Sequence, residues 1–121
     1  MVNVHWFKCG KAPDNNWCPL ETLNLDTVTE SGVYIIWHAG DPSRVIYVGQ
    51  GGPISDRLAA HRKDARILAY RKHGTLRVTW ATISAGQRDG VERYLADQWS
   101  PLLGDAHPNA TPIAVNSPWA A

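Results

Sequence analysis

Long apolar runs are absent from this chain of 121 residues. No run approaches the roughly 20 residues that a helix needs to cross a bilayer, and residues 1–11 lack the apolar core of a secretory signal. We therefore predict no membrane partner and a cytoplasmic location. Internal repeats and low-complexity tracts are also absent. The length, with 44% hydrophobic and 19% charged residues, is typical of one globular domain.

Cysteine is scarce, since the chain contains only Cys9 and Cys18. The two could form a disulfide in an oxidising compartment, whereas the cytosol would keep them reduced. Together with His5 they could instead supply three zinc ligands. Their spacing matches no familiar zinc pattern and no fourth ligand is evident. For these reasons a zinc-stabilised interaction domain ranks only third among the hypotheses for this chain.

Positive charge is in only small excess, with a net charge of +1. Its distribution is uneven. Residues 53–77 hold seven basic and two acidic residues, a net +5, and the other residues hold five basic and nine acidic residues, a net −4. A basic segment is expected where phosphates dock, and a solvated helix face produces the same pattern. Both interpretations stay open at this point.

Turn formers are frequent near both ends of the chain. We predict three regions, an N-terminal extension, a compact domain and an irregular tail, over residues 1–30, 31–104 and 105–121. Trp6, Phe7 and Trp17 are expected to pack the extension on the core, and Trp119 could anchor the tail. The chain has six tryptophans, for which core or rim packing is the favoured role. Trp37, at the mouth of a predicted hairpin, could instead stack on a nucleic-acid base.

The compact domain shows a β-β-α-β-α order. Runs of β-branched and aromatic residues predict the strands, and a turn cluster between the first two predicts a hairpin. The predicted strands cover residues 32–37, 44–49 and 76–83. These elements predict the α+β class, with a three-stranded antiparallel sheet flanked by helices.

Two helices complete this prediction, one over residues 54–72 and one ending near residue 99. In the first helix Leu58, Ala65 and Leu68 would share an apolar face, and Gly74 would end it. Residues 84–87 fit a capping box that would open the second helix.

Two glycine and tyrosine triplets lie on the predicted hairpin. Gly32-Val33-Tyr34 is on the first strand and Tyr47-Val48-Gly49 is on the second. A glycine-rich turn follows, then a helix that opens with Arg57, a third strand, and a helix that carries Glu92 and ends before Pro101. This combination, which covers most of the chain, resembles the GIY-YIG nuclease superfamily. The resemblance implies a GIY-YIG endonuclease-like fold and a metal-dependent endonuclease that hydrolyses nucleic-acid phosphodiester bonds, with DNA as the expected substrate.

The resemblance also implies roles for the hairpin residues. Tyr34 would lie in the cleft and help to deprotonate the attacking water, and Tyr47 would contribute its ring to the same site. A phenol with an ordinary pKa near ~10 is a poor base at neutral pH, so Tyr34 would need assistance from nearby cations or hydroxide. Without the surrounding pattern, two strand tyrosines that pack across from each other would be the simpler interpretation. Gly49 would let the nucleic-acid backbone approach the cleft closely.

Three helix residues would complete the active site. Arg57 would hold the scissile phosphate, because a guanidinium offers forked donors and stays charged. His61, four residues later on the same helical face, would hydrogen-bond the phosphate or move a proton; a half-buried packing role is an equal alternative. Glu92 would bind one Mg²⁺ or Mn²⁺ ion, since one carboxylate plus waters is enough for such an ion.

The basic residues that follow would extend the contact with nucleic acid. Arg62, Lys63 and Arg66 are predicted to bind backbone phosphates. No separate targeting domain is recognisable, so specificity would come from the terminal regions, a homodimer or a partner protein.

One position departs from the family's pattern. Family members often carry asparagine three residues after the proline that closes the glutamate helix, and this chain has Gly104 there. Asn109 or Asn116 could replace that amide in space. Gly104 is the feature that favours the alternative function, a catalytically weak or inactive GIY-YIG-fold module that binds nucleic acid.

Overall fold

A computed structural model describes residues 1–10, 16–104 and 107–119. In this part of the chain four strands form one antiparallel sheet in the order β1-β4-β2-β3. The strands are β1 (Cys18–Pro19), β2 (Gly32–His38), β3 (Arg44–Gly51) and β4 (Leu76–Thr82). The helices are α1 (Ile54–His61), α2 (Ala65–Leu68) and α3 (Arg88–Trp99), with short 3-10 turns at Leu25–Thr27, Ala69–His73 and Ala85–Gln87. The predicted α+β class is confirmed.

The prediction of three strands was wrong, because the sheet has a fourth. Cys18 of β1 pairs with Val78 and Pro19 pairs with Arg77. The sequence indicated a turn here because proline cannot donate to a strand ladder, but β1 is an edge strand, where proline is tolerated. A disulfide joins Cys18 to Cys9, so neither sulfur is a thiolate that could bind zinc with His5.

The central strand β2 is buried at all seven positions. Its alternate side chains enter two different cores, as the two-residue period of a strand requires. Val33 and Ile35 belong to the core that contains Leu95 of α3. Tyr34 belongs to the core that contains Leu58 of α1. The two helices therefore cover opposite faces of the sheet.

The prediction of one continuous helix over 54–72 was wrong, because α1 ends at His61 and a new helix begins four residues later, at Ala65. Asp64 caps α2 by accepting a hydrogen bond from the Arg66 backbone N–H at 2.9 Å, a side-chain bond that competes with helix continuation. The break shifts the helical phase, so Ile67 is buried while Ala65 is exposed and Leu68 is half-buried. The stop at Gly74 is confirmed: its φ is 153°, a conformation that favours glycine.

The opening of α3 also differs from the prediction. The Ser84 side chain accepts no hydrogen bond from the backbone of the next turn. Its hydroxyl donates instead to the side-chain oxygen of Gln87 at 3.1 Å. The segment after Ser84 therefore begins with a 3-10 turn, and α3 starts at Arg88. The predicted end is confirmed, since α3 stops at Trp99 and Ser100 adopts a left-handed conformation.

Both terminal regions pack on the core. The indole N–H of Trp6 donates to the Asn116 carbonyl at 2.9 Å, and Phe7 stacks on Trp80 at 5.5 Å. Val2 forms a parallel bridge with Val115. Among the helices of the described residues, none combines the length and apolar character that a bilayer span needs.

Candidate active site at the edge of the sheet

Gly49 creates the space in which the candidate site forms. It lies opposite Tyr34 in the register of β2 and β3, and β3 is an edge strand of the sheet. A Cβ atom at Gly49 would lie 2.5 Å from the Tyr34 hydroxyl oxygen and 2.9 Å from the Tyr47 ring. The Tyr34 side chain therefore lies across Gly49, at a position where only glycine leaves room.

Substitution of Gly49 should show directly that this position requires glycine. We expect Gly49→Ala to lower the free energy of unfolding by about 1–3 kcal/mol, because the buried Tyr34 ring must move, and to abolish any activity of the site. Urea denaturation measures the change. Gly104→Ala is the matched control, since a Cβ at Gly104 meets nothing within 4 Å. Equal stability of the Gly49→Ala and wild-type proteins would contradict this account of the site.

Three rings form the buried part of the site. The Tyr34 hydroxyl lies 2.7 Å from His61 Nε2, and the Tyr47 ring lies 4.5 Å from the His61 ring and stacks on Tyr34 at 6.1 Å. His61 is at the last position of α1, and all three side chains are at most 8% exposed. The sequence left open whether His61 packs or acts in the site, and the structure places it in direct hydrogen-bond contact with Tyr34.

Burial determines the protonation of Tyr34. Removal of the side chain from water raises the pKa of Tyr34 well above its ordinary value of 10.0, and the hydrogen bond from Arg57 opposes this increase only in part. At neutral pH Tyr34 is therefore a neutral phenol that can donate to His61 Nε2. A phenol in this state is not itself a base, so it can help to deprotonate a water only by passing a proton on to His61.

Arg57 supplies the positive charge at the mouth of the site. It lies one helical turn before His61, and its side chain is exposed. Hydrogen bonding to Tyr34, followed by attraction to the same hydroxyl, raises the pKa of Arg57. The stem of Arg57 lies against Gly51, where a Cβ would be 2.8 Å from Arg57 Cγ. The guanidinium is thus held beside the phenol oxygen while it remains accessible to an anion.

Glu92 approaches from the other side of the sheet. It lies on α3, and the start of α3 is tied to the end of β3 by a hydrogen bond from Gln50 to Asp89 at 2.7 Å. Glu92 is 7% exposed. Its negative charge is the smallest of the contributions that raise the pKa of Tyr34. Glu92 is thus carried by the helix on the face of the sheet opposite Tyr34, and its charge raises the pKa of the phenol less than burial or Tyr47 does.

His107 is the partner of Glu92 that the sequence did not indicate. Its Nδ1 lies 2.9 Å from Glu92 Oε2, and both side chains are nearly buried. Its Nε2 is buried and has no hydrogen-bond partner among the described residues. The sequence did contain one usable signal for this contact. His107 follows the helix that carries Glu92 and lies shortly after Gly104, the position where the family often has asparagine.

The asparagines considered as substitutes do not occupy this place. Gly104 is exposed, and the Asn116 side chain bonds both backbone groups of Val4, at 2.6 and 3.0 Å. In the described part of the tail, His107 is the polar side chain that contacts Glu92.

The predicted phosphate contacts are only partly available. Arg62 donates to the carbonyl of Leu20 at 2.7 Å and also to that of Leu23, so it ties the N-terminal region to α1. Arg66 pairs with Asp64 at 3.0 Å. Lys63 is exposed. Of the predicted trio, Arg62 therefore has an internal role that neutralisation would disrupt.

The donor set around Glu92 is compatible with a hard divalent ion. His107 engages Oε2, which leaves Oε1 for a cation, and magnesium characteristically takes one or two carboxylates together with waters and substrate phosphate. Within residues 1–10, 16–104 and 107–119, no group of three or more His, Cys, Asp or Glu side chains is arranged to hold a metal.

The chain was compared with protein families, curated proteins and solved structures. No family model, no curated protein and no solved structure matches it.

Proposed function

We propose that this protein is a GIY-YIG-type endonuclease that hydrolyses phosphodiester bonds, with DNA as the expected substrate, and that it uses one Mg²⁺ or Mn²⁺ ion held by Glu92. The observation that carries the proposal is the cluster of Tyr34, His61 and Arg57 over Gly49. It combines a proton relay with a fixed positive charge at an open sheet edge. Glu92, whose charge contributes to the raised pKa of Tyr34, supplies the acidic group.

Arg57 would bind the scissile phosphate. Its guanidinium is exposed and already oriented by the Tyr34 hydroxyl, and its forked donors match phosphate oxygens. Because it stays charged at all relevant pH values, it offsets the negative charge that accumulates on the phosphate as water attacks.

Tyr34 and His61 would remove the proton from that water. A water at the Tyr34 oxygen, a position that is buried in the free protein, would pass a proton to that oxygen while Tyr34 passes its own proton to His61 Nε2, 2.7 Å away. This relay avoids a buried phenolate, which the raised pKa of Tyr34 disfavours. A bond forms between the water oxygen and phosphorus, the bond to the leaving oxygen breaks, and the leaving oxygen is protonated from solvent. The divalent ion would offset charge on the phosphate and on the leaving oxygen.

A second candidate is a nucleic-acid-binding module with little or no turnover. The contact between His107 and Glu92 Oε2 at 2.9 Å favours it, because it occupies one of the two oxygens that could hold an ion. The absence of an amide side chain at Gly104 favours it as well.

A cleavage assay separates the two candidates. Purified protein is incubated with supercoiled plasmid or with single-stranded DNA, in Mg²⁺, Mn²⁺ or EDTA. We expect nicked plasmid or shortened strands with either metal and intact DNA in EDTA. DNA that is bound but never cut under any of these conditions would contradict the endonuclease and support the binding module.

A further inference from the structure

A cavity lined by tryptophans lies away from the candidate active site. It has a volume of about 720 Å³ and is placed where the hairpin of β2 and β3 turns. Its principal lining residues are Trp17, Trp37, Trp99, Trp119, Arg44 and Arg77, a set that we call the tryptophan cavity. Trp37 enters the core on the α3 face, whereas Tyr34 enters the core on the α1 face. The cavity therefore lies nearer the turn end of the hairpin than Tyr34 does, and on the opposite face of the sheet from Tyr34.

The walls of this cavity form a connected aromatic frame. Trp119 meets Trp37 and Trp99 at ring-centroid distances of 4.9 Å, with interplanar angles of 88° and 85°. Trp17 meets Trp37 at 5.4 Å and 85°. Edge-to-face contacts of this kind hold rings in fixed positions. A frame of indoles around open space favours a planar aromatic ligand.

The charge of the lining argues against the usual ligand of an aromatic cage. Such cages commonly bind quaternary ammonium groups. Among the described residues, Arg44 and Arg77 line the cavity and no carboxylate does, so these two charges disfavour a cation. Arg44 is exposed, and Arg77 uses one donor on the Trp17 carbonyl at 3.2 Å. The guanidinium groups favour an anion, and their forked donors suit a phosphate.

We propose that the tryptophan cavity binds a nucleotide, with the base against the indoles and the phosphate on Arg44 and Arg77. The volume falls within the range of roughly 300–1,000 Å³ that small-molecule sites occupy. The nucleotide can be a free mononucleotide or the phosphorylated end of a single strand, since both present the same base and phosphate. This inference does not depend on the proposed nuclease activity, because it uses none of the residues of the candidate active site.

The six indole N–H signals in a ¹H–¹⁵N correlation spectrum provide the test. We expect AMP to shift the signals of Trp17, Trp37, Trp99 and Trp119. The signals of Trp6 and Trp80 serve as internal references, because their N–H groups are bonded to Asn116 and Glu30 outside the cavity. Adenosine and ribose 5-phosphate, each lacking half of the ligand, should bind about tenfold more weakly or worse.

A comparison of AMP with a 5′-phosphorylated tetranucleotide distinguishes the two sources. Tighter binding of the tetranucleotide would identify the end of a strand as the ligand, and equal or tighter binding of AMP would identify the free nucleotide. Either result supports the cavity as a nucleotide site.

Variants make the proposal specific. Arg44→Ala should weaken AMP binding about tenfold or more, whereas Arg71→Ala, which removes the same charge from an exposed arginine paired with Glu21, should leave it unchanged. Arg57→Ala should also bind AMP normally, even if it no longer cuts DNA. The proposal is overturned if about 10 mM AMP, enough to detect millimolar affinity, moves none of the four signals. It is equally overturned if adenosine binds as tightly as AMP, or if Arg71→Ala weakens binding as much as Arg44→Ala.

Discussion

Arg57→Ala is expected to reduce DNA cleavage about a thousandfold or more, because a charge that stabilises a phosphoryl transition state typically contributes factors of this size. The side chain is exposed, so its loss should change the free energy of unfolding by less than about 1 kcal/mol. Cleavage rates under single-turnover conditions and urea denaturation of the same preparations measure both quantities. The combination of a large kinetic effect and a small effect on stability is what a phosphate clamp predicts.

Two further variants make this prediction selective. Arg57→Lys keeps the charge but loses the forked geometry, so it should retain only a small fraction of the activity. Arg71→Ala removes an equally exposed arginine and should cut DNA at the wild-type rate. If Arg57→Ala retained wild-type cleavage, the phosphate would have to be held elsewhere and the role given to this cluster would be wrong.

Glu92→Gln is expected to abolish metal-dependent cleavage, again by about a thousandfold or more. The amide is nearly the same size as the carboxylate and its oxygen can still accept from His107 Nδ1, so the buried contact survives. The negative charge that would attract a hard divalent cation is lost. Cleavage measured over a range of Mg²⁺ and Mn²⁺ concentrations distinguishes weaker ion binding, which excess metal would partly restore, from loss of the chemical step.

Asp97→Asn is the matched control for Glu92→Gln. Asp97 also lies on α3, but its side chain is 52% exposed and is paired with Arg93. Its replacement removes the same charge from the same helix and should leave cleavage unchanged. Wild-type rates for Glu92→Gln at every metal concentration, including the lowest, would show that Glu92 does not hold the ion, and the contact with His107 would then be its main role.

The hairpin shows how much the local sequence can predict. The β-branched and aromatic runs around the two triplets predicted both strands and the turn between them, and the structure has both strands, with Tyr34 opposite Gly49. The approach of a nucleic-acid backbone to Gly49 stays a prediction. The group that a Cβ at Gly49 would meet first is the Tyr34 hydroxyl of the same protein, which a sequence pattern does not specify.

The errors have a common physical origin in contacts between distant parts of the chain. Pro19 indicated a turn, yet its segment pairs with β4 through contacts between residues nearly 60 positions apart. The helical propensity of residues 54–72 was continuous, but the Asp64 side chain caps a new helix within it. Arg62 remains a predicted phosphate ligand, but its hydrogen bonds to the carbonyl groups of Leu20 and Leu23 are further long-range contacts that the sequence did not indicate.

The sequence by itself determined the α+β class, the hairpin, the start of α1 and the end of α3, because these depend on local propensity and on short-range periodicity. The residues of the candidate site other than His107 were indicated by the resemblance to a family pattern. The tertiary structure alone decided which of those residues meet. Backbone pairing brought Tyr34 over Gly49, packing placed α1 and α3 on opposite faces of the sheet, and the tail returned His107 to Glu92. Burial, which raises the pKa of Tyr34, is likewise a property of the folded chain, because desolvation depends on every segment that surrounds the phenol.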